Sequence, residues 1–449
     1  MLNCNKSLVM DAQKSLSRKE KDIYRAWLEG NYNKTHLKTT SGESVSIISA
    51  GIRNEVEGPD FVDGIVIIGD ELLRGPIEIH RNNIDWYEHD HQNDPNYDDV
   101  ILHVVTRCQD DREIKTANQK VVPTLVLRDY KVEPIKQKKC EGWKELDEKR
   151  LLQTLDEYGQ QRFNRKSLIL KSEITGHDYE QVFYAGVLDV LGYSKNRAVF
   201  AKLAAELPIK EIYQFIENFE EDKIIPGLET LYLGIAGLLR DEKAKYFAGD
   251  RYYQETRKKW NEIKAACNFN EIENVKWHFV KSRPNNQPPT RILALVQIIN
   301  NFLPEMPARQ WINFIARKPA LAEVYQWLAR YFQNPSGLWQ NHPLLHKQVR
   351  RNLLGDRRIM DLLSNYLLPF AKAYGIVNSE KILSNYSVTL SREIKRGAIP
   401  GIINKMLGRL QVSPSLLDNN NLLQGSIEFY RNWCDIGLCS FCPLREYAN

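Results

Sequence analysis

The sequence has no long apolar run. Its greasiest stretches, such as Arg291 to Leu303, carry polar residues and fall short of the roughly 20 residues that a membrane-crossing helix needs. That excludes an integral membrane protein. The first twenty residues also lack a continuous apolar core, and they set Asp11, Lys14, Arg18 and Lys19 where a signal peptide would be greasy. The cytoplasm is therefore the default compartment. Charge of one sign is missing as well: 62 Lys and Arg face 57 Asp and Glu, a net +5 over 449 residues. So dilute a charge does not by itself mark a nucleic-acid or membrane partner. Cysteine is scarce, with seven residues, an odd number, three of them in the last sixteen positions. This is no disulfide framework, and reduced thiols or a metal cluster fit better.

What remains is ordinary globular composition. A hydrophobic fraction of 43%, a charged fraction of 27% and 19 prolines exclude a mostly disordered chain or a fibrous repeat. The length suggests about three domains, with two or four close behind. Ile23, Tyr24, Trp27 and Leu28 recur at helical spacing until Gly30 stops the helix. Val45 to Ser49, Phe61 to Ile68, Leu72 to His80 and Val100 to Thr106 are short and rich in β-branched residues, with Gly69-Asp70 between the second and third. A helical turn or loop falls between Ile84 and His91, and Val121 to Val132 predicts one last strand. The order is α-β-β-β-(α)-β-β over 19–133, followed by a Lys-rich linker at 134–150.

The character then turns helical. Val182 to Leu191, Ala198 to Leu207, Lys210 to Asn218, Arg291 to Phe302, Leu321 to Phe332 and Ile359 to Tyr374 show apolar residues at three- and four-residue spacing. No fixed period recurs, which favours a compact helical domain over 151–424 rather than a repeat array. A last segment, 425–449, holds a helix ending in cysteines. The expected class is α+β: a mixed-sheet core, then a larger all-helical domain.

Chemistry concentrates in the strand region. Asp60 follows Pro59 at the start of a predicted strand, and the next strand reads Glu78-Ile79-His80. Two carboxylates brought together across a hairpin can hold a hard divalent cation, to which the carbonyl of Ile79 could add a third oxygen. Such a metal activates water and offsets charge on a phosphoryl oxygen, the two needs of phosphodiester hydrolysis. Register sets a condition. With a plain two-residue turn at Gly69-Asp70, Asp60 falls opposite Ile79 and on the wrong face. A longer loop, or a bulge near Gly64 or Gly75-Pro76, brings it opposite Glu78. The competing reading is that Pro-Asp only opens a strand and Glu-x-His decorates an exposed sheet face.

This order of elements, with Gly58-Pro59-Asp60-Phe61 and Glu78-Ile79-His80, resembles the PD-(D/E)xK nuclease superfamily over about residues 19 to 107. The resemblance implies that Asp60 and Glu78 bind Mg²⁺ or Mn²⁺ and that position 80 assists the attacking water. It also implies a helix acid, for which Glu20 and Glu29 are the candidates. The superfamily has Lys at the third position, whereas this chain has His80. An imidazole can serve as base or ligand but brings no fixed positive charge. Over almost its whole length the chain also resembles an uncharacterised bacterial family, domain of unknown function 2851. That likeness rests on Asn54-x3-Gly58-Pro59-Asp60-Phe61, Gly75-x2-Glu78-Ile79-His80, Asp85-Trp86-x2-His89-x-His91-x2-Asp94-x2-Tyr97, Leu102-His103-Val104-Val105, Arg283-Pro284, Gly355-Asp356-Arg357 and the terminal cysteines.

Three further signals stand beside the pair of carboxylates. His80, His89, His91 and His103 are four of the nine histidines, interspersed with Asp85, Asp94, Asp98 and Asp99. Imidazole with carboxylate suits Zn²⁺ or another transition metal better than Mg²⁺. These groups either form a rival centre, or support the Asp60/Glu78 metal, or lie on a solvated loop with His103 packed in a strand. Cys434-x4-Cys439-x2-Cys442 can ligate zinc or part of an iron–sulfur cluster, with Cys4, Cys108, Cys140 and Cys267 as candidates for a fourth ligand. Buried inert thiols are the alternative. Lys347, Arg350, Arg351, Arg357 and Arg358, and separately Trp277, His278, Lys281, Arg283 and Arg291, could give salt-sensitive affinity for nucleic acid, although most such runs are solvated faces.

Three functions therefore compete. The first is a metal-dependent nuclease, or an inactive relative, in which Asp60 and Glu78 bind the cation, His80 handles water, and His89, His91 and His103 assist. The second is a zinc-type hydrolase of a small substrate built on the histidines. The third is a non-catalytic protein that binds nucleic acid or another protein.

Overall fold

The computed structural model describes residues 18–54, 58–110, 112–128, 130, 140, 146–240, 250–267, 269–273, 275–279, 287–333, 342, 352–439 and 442–447. They divide between two compact units. One comprises Gln13–Gly159, Ile399–Leu416 and Gln424–Asn449, and the other comprises Gln160–Ala398 and Leu417–Leu423. A mixed sheet is thus followed in the chain by a larger helical region. No described helix is long and apolar enough to cross a membrane.

In the sheet-bearing unit, α1 (Arg18–Glu29) buries Ile23, Tyr24 and Trp27 on one stripe. It ends at Gly30, whose φ of 63° suits a residue without a Cβ. Four strands follow: β1 (Val45–Ser49), β2 (Ile52–Arg53), β3 (Phe61–Ile68) and β4 (Glu71–Asn82). Next come a short helix α2 (Asp85–Glu88), two 3-10 turns (His91–Asn93 and Pro95–Tyr97), and then β5 (Leu102–Arg107). The sheet runs β1-β3-β4-β5, with β2 also paired to β3. β1, β3 and β4 are antiparallel, whereas β4 and β5 are parallel. The switch to parallel pairing requires a crossover connection, and that crossover carries α2 and the two turns.

The predicted strand from Val121 to Val132 is instead divided. With Ile114–Lys115 as β6, Val121–Val122 is β7, and Thr124–Val126 is β8. β6 and β7 make a small separate hairpin, while β8 joins the main sheet parallel to β5. Pro123 sits at the division, where it has no N–H to give to a ladder. The expected linker at 134–150 lies outside the described residues except for 140 and 146–150.

Side chains alternate along a strand, so Phe61, Ile77, Ile79, Leu102 and Val104 face α1 in one core while Glu78 and His80 take the opposite face. Ile436 and Leu438, from the cysteine-bearing tail, belong to the same core. Trp86, Tyr97, Val100, Ile114 and Val122 form a second, smaller cluster.

The helical unit realises the predicted periodicities in longer pieces. Val182 to Leu191 and Ala198 to Leu207 are stretches of a single helix, Tyr179–Glu206, because no proline interrupts them. The segment predicted as Ile359 to Tyr374 contains a wide π turn at Leu363–Leu367 just before Pro369, which supplies no N–H to the turn behind it. The core of this unit is rich in large aromatics, with Trp311, Tyr366, Phe183 and Phe302 fully buried.

Candidate metal centre

The register condition is met by a bulge. The turn at Gly69-Asp70 pairs Ile68 with Glu71, and that register holds through Gly64↔Gly75, but Phe61 pairs with Ile77 after a shift between Phe61 and Gly64. Asp63, inside the shift, has a φ of 54°, a left-handed conformation that Asp tolerates better than most residues. One extra residue on β3 turns Asp60 toward Glu78. The two acids then clasp the strand pair reciprocally: Glu78 Oε2 accepts the Asp60 N–H at 2.8 Å, and Asp60 Oδ2 accepts the Ile79 N–H at 2.8 Å. Both are buried, Glu78 at 0% exposure and Asp60 at 7%. Asn54 holds the approach by donating from its side-chain amide to the Pro59 carbonyl at 2.8 Å.

From the core side of the sheet, Tyr24 reaches Asp60. Burial pushes the Tyr24 hydroxyl well above its ordinary range, and the charges of Asp60 and Glu78 push it further, with a side-chain hydrogen bond to Asp60. The phenol therefore stays protonated and donates to the carboxylate. Glu29, one of the two candidate helix acids, is turned elsewhere: it accepts from the Asn31 side chain at 2.8 Å and lies 3.8 Å from Arg25.

The four predicted histidines converge beside Glu78. Parallel pairing sets Glu78 beside His103, and His80 Nδ1 meets His103 Nε2 at 2.9 Å. His80 Nε2 lies 3.2 Å from Glu78 Oε1 and 3.1 Å from His89 Nδ1, while His91 Nε2 lies 3.3 Å from the same Glu78 oxygen. His80, His91 and His103 are buried, whereas His89 is exposed. His80, His89 and His91 each offer a ligand atom within 4.8 Å of the others. A neutral imidazole has one N–H and one lone pair, so ring nitrogens this close either hydrogen-bond one another, as His80 does with His89 and His103, or turn their lone pairs to a shared ion. This donor set suits a first-row transition ion, and His89 stands at its exposed edge.

Two aromatic residues that the motifs alone do not assign to the site hold the loop that carries these rings. Tyr97 stacks on His91 with ring centroids 3.8 Å apart, and its hydroxyl donates to the Gly58 carbonyl at 3.0 Å. Trp86 meets His91 and His103 at 5.3 Å each, and its indole N–H donates to the Lys115 carbonyl at 3.0 Å. Their interleaving with His89 and His91 in one short segment was the available signal. The acids Asp85, Asp94 and Asp98 do other work: each accepts backbone N–H groups, from Asn82, Asn96 and Asn118 respectively.

The cysteines Cys434, Cys439 and Cys442 lie together elsewhere in the same unit. Of the basic groups, Trp277 and Arg291 are interior, with the Trp277 indole donating to the Ala236 carbonyl. Lys281, Arg283, Lys347, Arg350, Arg351 and Cys4 lie outside the described residues.

A family described as protein of unknown function (DUF2851) matches residues 20–398. The chain belongs to that family. The match takes in Asp60, Glu78 and all four histidines of this DUF2851 member, but stops short of the terminal cysteines. No curated protein and no solved structure matches the chain.

Proposed function

We propose that this DUF2851 protein is a metal-dependent hydrolase, its divalent transition ion held by His80, His89 and His91. The observation that carries the reading is the convergence of those three ring nitrogens on a space bordered by Glu78. A metal bound there would supply Lewis acidity and bring the acidity of water into the neutral range. The protein's own groups divide the remaining tasks. Glu78 Oε1, between His80 and His91, is placed to take and return a proton. His103 fixes the orientation of the His80 ring through Nδ1, and Tyr97 fixes His91 by stacking. Asp60, with its proton donor Tyr24, keeps Glu78 anchored to the strand pair.

A specific observation also supports the nuclease form of this reading. The bulge at Asp63 brings Asp60 to Glu78, as a PD-(D/E)xK arrangement requires, and phosphodiesters of DNA or RNA then become the substrate class. In that version Mg²⁺ or Mn²⁺ sits between the two carboxylates and the histidines assist. The two versions separate experimentally. Metal content should be measured in purified wild type and in His89→Ala, His91→Ala and Asp60→Asn. Cleavage should be assayed with Mg²⁺, Mn²⁺ and Zn²⁺ on single- and double-stranded nucleic acid and on small phosphodiesters. Loss of a stoichiometric transition metal in both histidine variants, with retention in Asp60→Asn, is the expected result. Metal retained without His89 and His91 sinks the histidine centre. Mg²⁺- or Mn²⁺-dependent cleavage abolished by Asp60→Asn favours the two-carboxylate version. Tight nucleic-acid binding with no turnover under any metal would mark a binding protein instead.

A further inference from the structure

A second donor set lies in the sheet-bearing unit, apart from the histidines. Cys434, Cys439 and Cys442 line one cavity, and Cys140 joins them from a distant part of the sequence. None of the four is in a disulfide. We propose that Cys140, Cys434, Cys439 and Cys442 are the four ligands of a soft, thiolate-bound metal centre.

The chemistry of the walls supports a metal. Thiolates select zinc and iron–sulfur centres, and both want a complete set of four. The cavity offers about 20 Å³, room for about one water-sized body and so for a single metal ion. Met406, Leu410, Phe429 and Trp433 make the rest of the lining apolar. Apolar walls exclude water and protect such a centre. Arg409 also lines the cavity, and its guanidinium would offset part of the negative charge that four thiolates bring. Trp433 is held in place by its indole N–H, which donates to the Tyr158 hydroxyl at 2.7 Å. Loading would release the thiol protons.

Position suggests the use. The chain leaves this unit at Gly159 and returns to it for its final segment at Gln424. Cys140 precedes the exit and the other three follow the return, so the centre would clasp the two segments.

The test uses the full-length chain purified without oxygen, with iron, acid-labile sulfide and zinc measured alongside visible absorption. Zinc, or iron with sulfide, bound at the cysteines is expected in wild type, lost in Cys140→Ser and in Cys439→Ser and retained in Cys267→Ser and His89→Ala. A thiol count on wild type before and after acid release of metal does not depend on any variant folding, and should rise by four. Iron with sulfide marks a cluster and zinc without sulfide a single ion, and either one lost in Cys140→Ser supports the four ligands. No metal, an unchanged thiol count, or full metal content in Cys140→Ser overturns the proposal entirely. The His89→Ala arm separates failure here from failure of the histidine centre.

Discussion

At the scale of single residues, the site depends on side chains that orient others. Tyr97 shows this best, since one ring stacks on His91 while its hydroxyl ties the loop to Gly58. Tyr97→Leu removes both contacts, and we expect a 10- to 100-fold loss of metal affinity, the usual effect of removing a group that orients a ligand. Tyr97→Phe keeps the stack and should cost only about 1 kcal/mol of stability for the lost hydrogen bond. Metal titration and denaturant unfolding of the two variants check this. Equal metal affinity in wild type and Tyr97→Leu would remove Tyr97 from the site. Asp60, Glu78 and the histidines were legible in the sequence because their types are chemically distinctive. Tyr24, Trp86 and Tyr97 were not, because an aromatic residue at helical or turn spacing is ordinarily core.

At the scale of elements, the site depends on a one-residue irregularity. Glycine flanks the shift at Gly64, where a Cβ would meet Ile77 Cδ1 at 2.3 Å, and Asp63 takes the left-handed conformation. A bulge near Gly64 was among the sequence-level options. Choosing it over a longer turn needed the actual pairing, since either device shifts the register by one. A second element contact is equally close. In helix Asn420–Phe429, a Cβ on Gly425 would lie 1.7 Å from the Leu155 carbonyl oxygen in helix Glu148–Gly176. Backbone cannot yield as a flexible side chain does, so Gly425→Ala should destabilise the protein by at least about 1–3 kcal/mol. Gly176→Ala, with nothing within 4 Å of the added atom, serves as the control. Denaturant midpoints of the pair measure the difference, and matching midpoints would contradict this crossing of helices.

At the scale of the whole molecule, the two units have separate hydrophobic cores, one built on α1 and the sheet and the other on the helices. Chains with separate cores commonly depart from two-state unfolding. Calorimetry should therefore resolve more than one transition. Both candidate metal centres lie in the sheet-bearing unit, so chelation should lower one transition and leave the other in place, because a ligand stabilises only the state that binds it. A uniform shift of a single transition would refute that assignment. The sequence divided the chain where periodicity changes from two to helical spacing. The structure draws the final segment into the sheet unit instead, through Ile436 and Leu438 in its core. That return could not be read from local pattern, because it is a contact between positions far apart in the chain.

The sequence by itself determined the class of each segment and the identity of the reactive groups, since periodicity and side-chain chemistry are local properties. Only the tertiary structure decided which groups meet. A register shift of one residue carries Asp60 from one neighbour to another, and a parallel crossover sets His103 beside Glu78. The return of the chain brings Cys434, Cys439 and Cys442 to Cys140. Each is a long-range pairing fixed by burial of apolar faces, which no single stretch of sequence specifies.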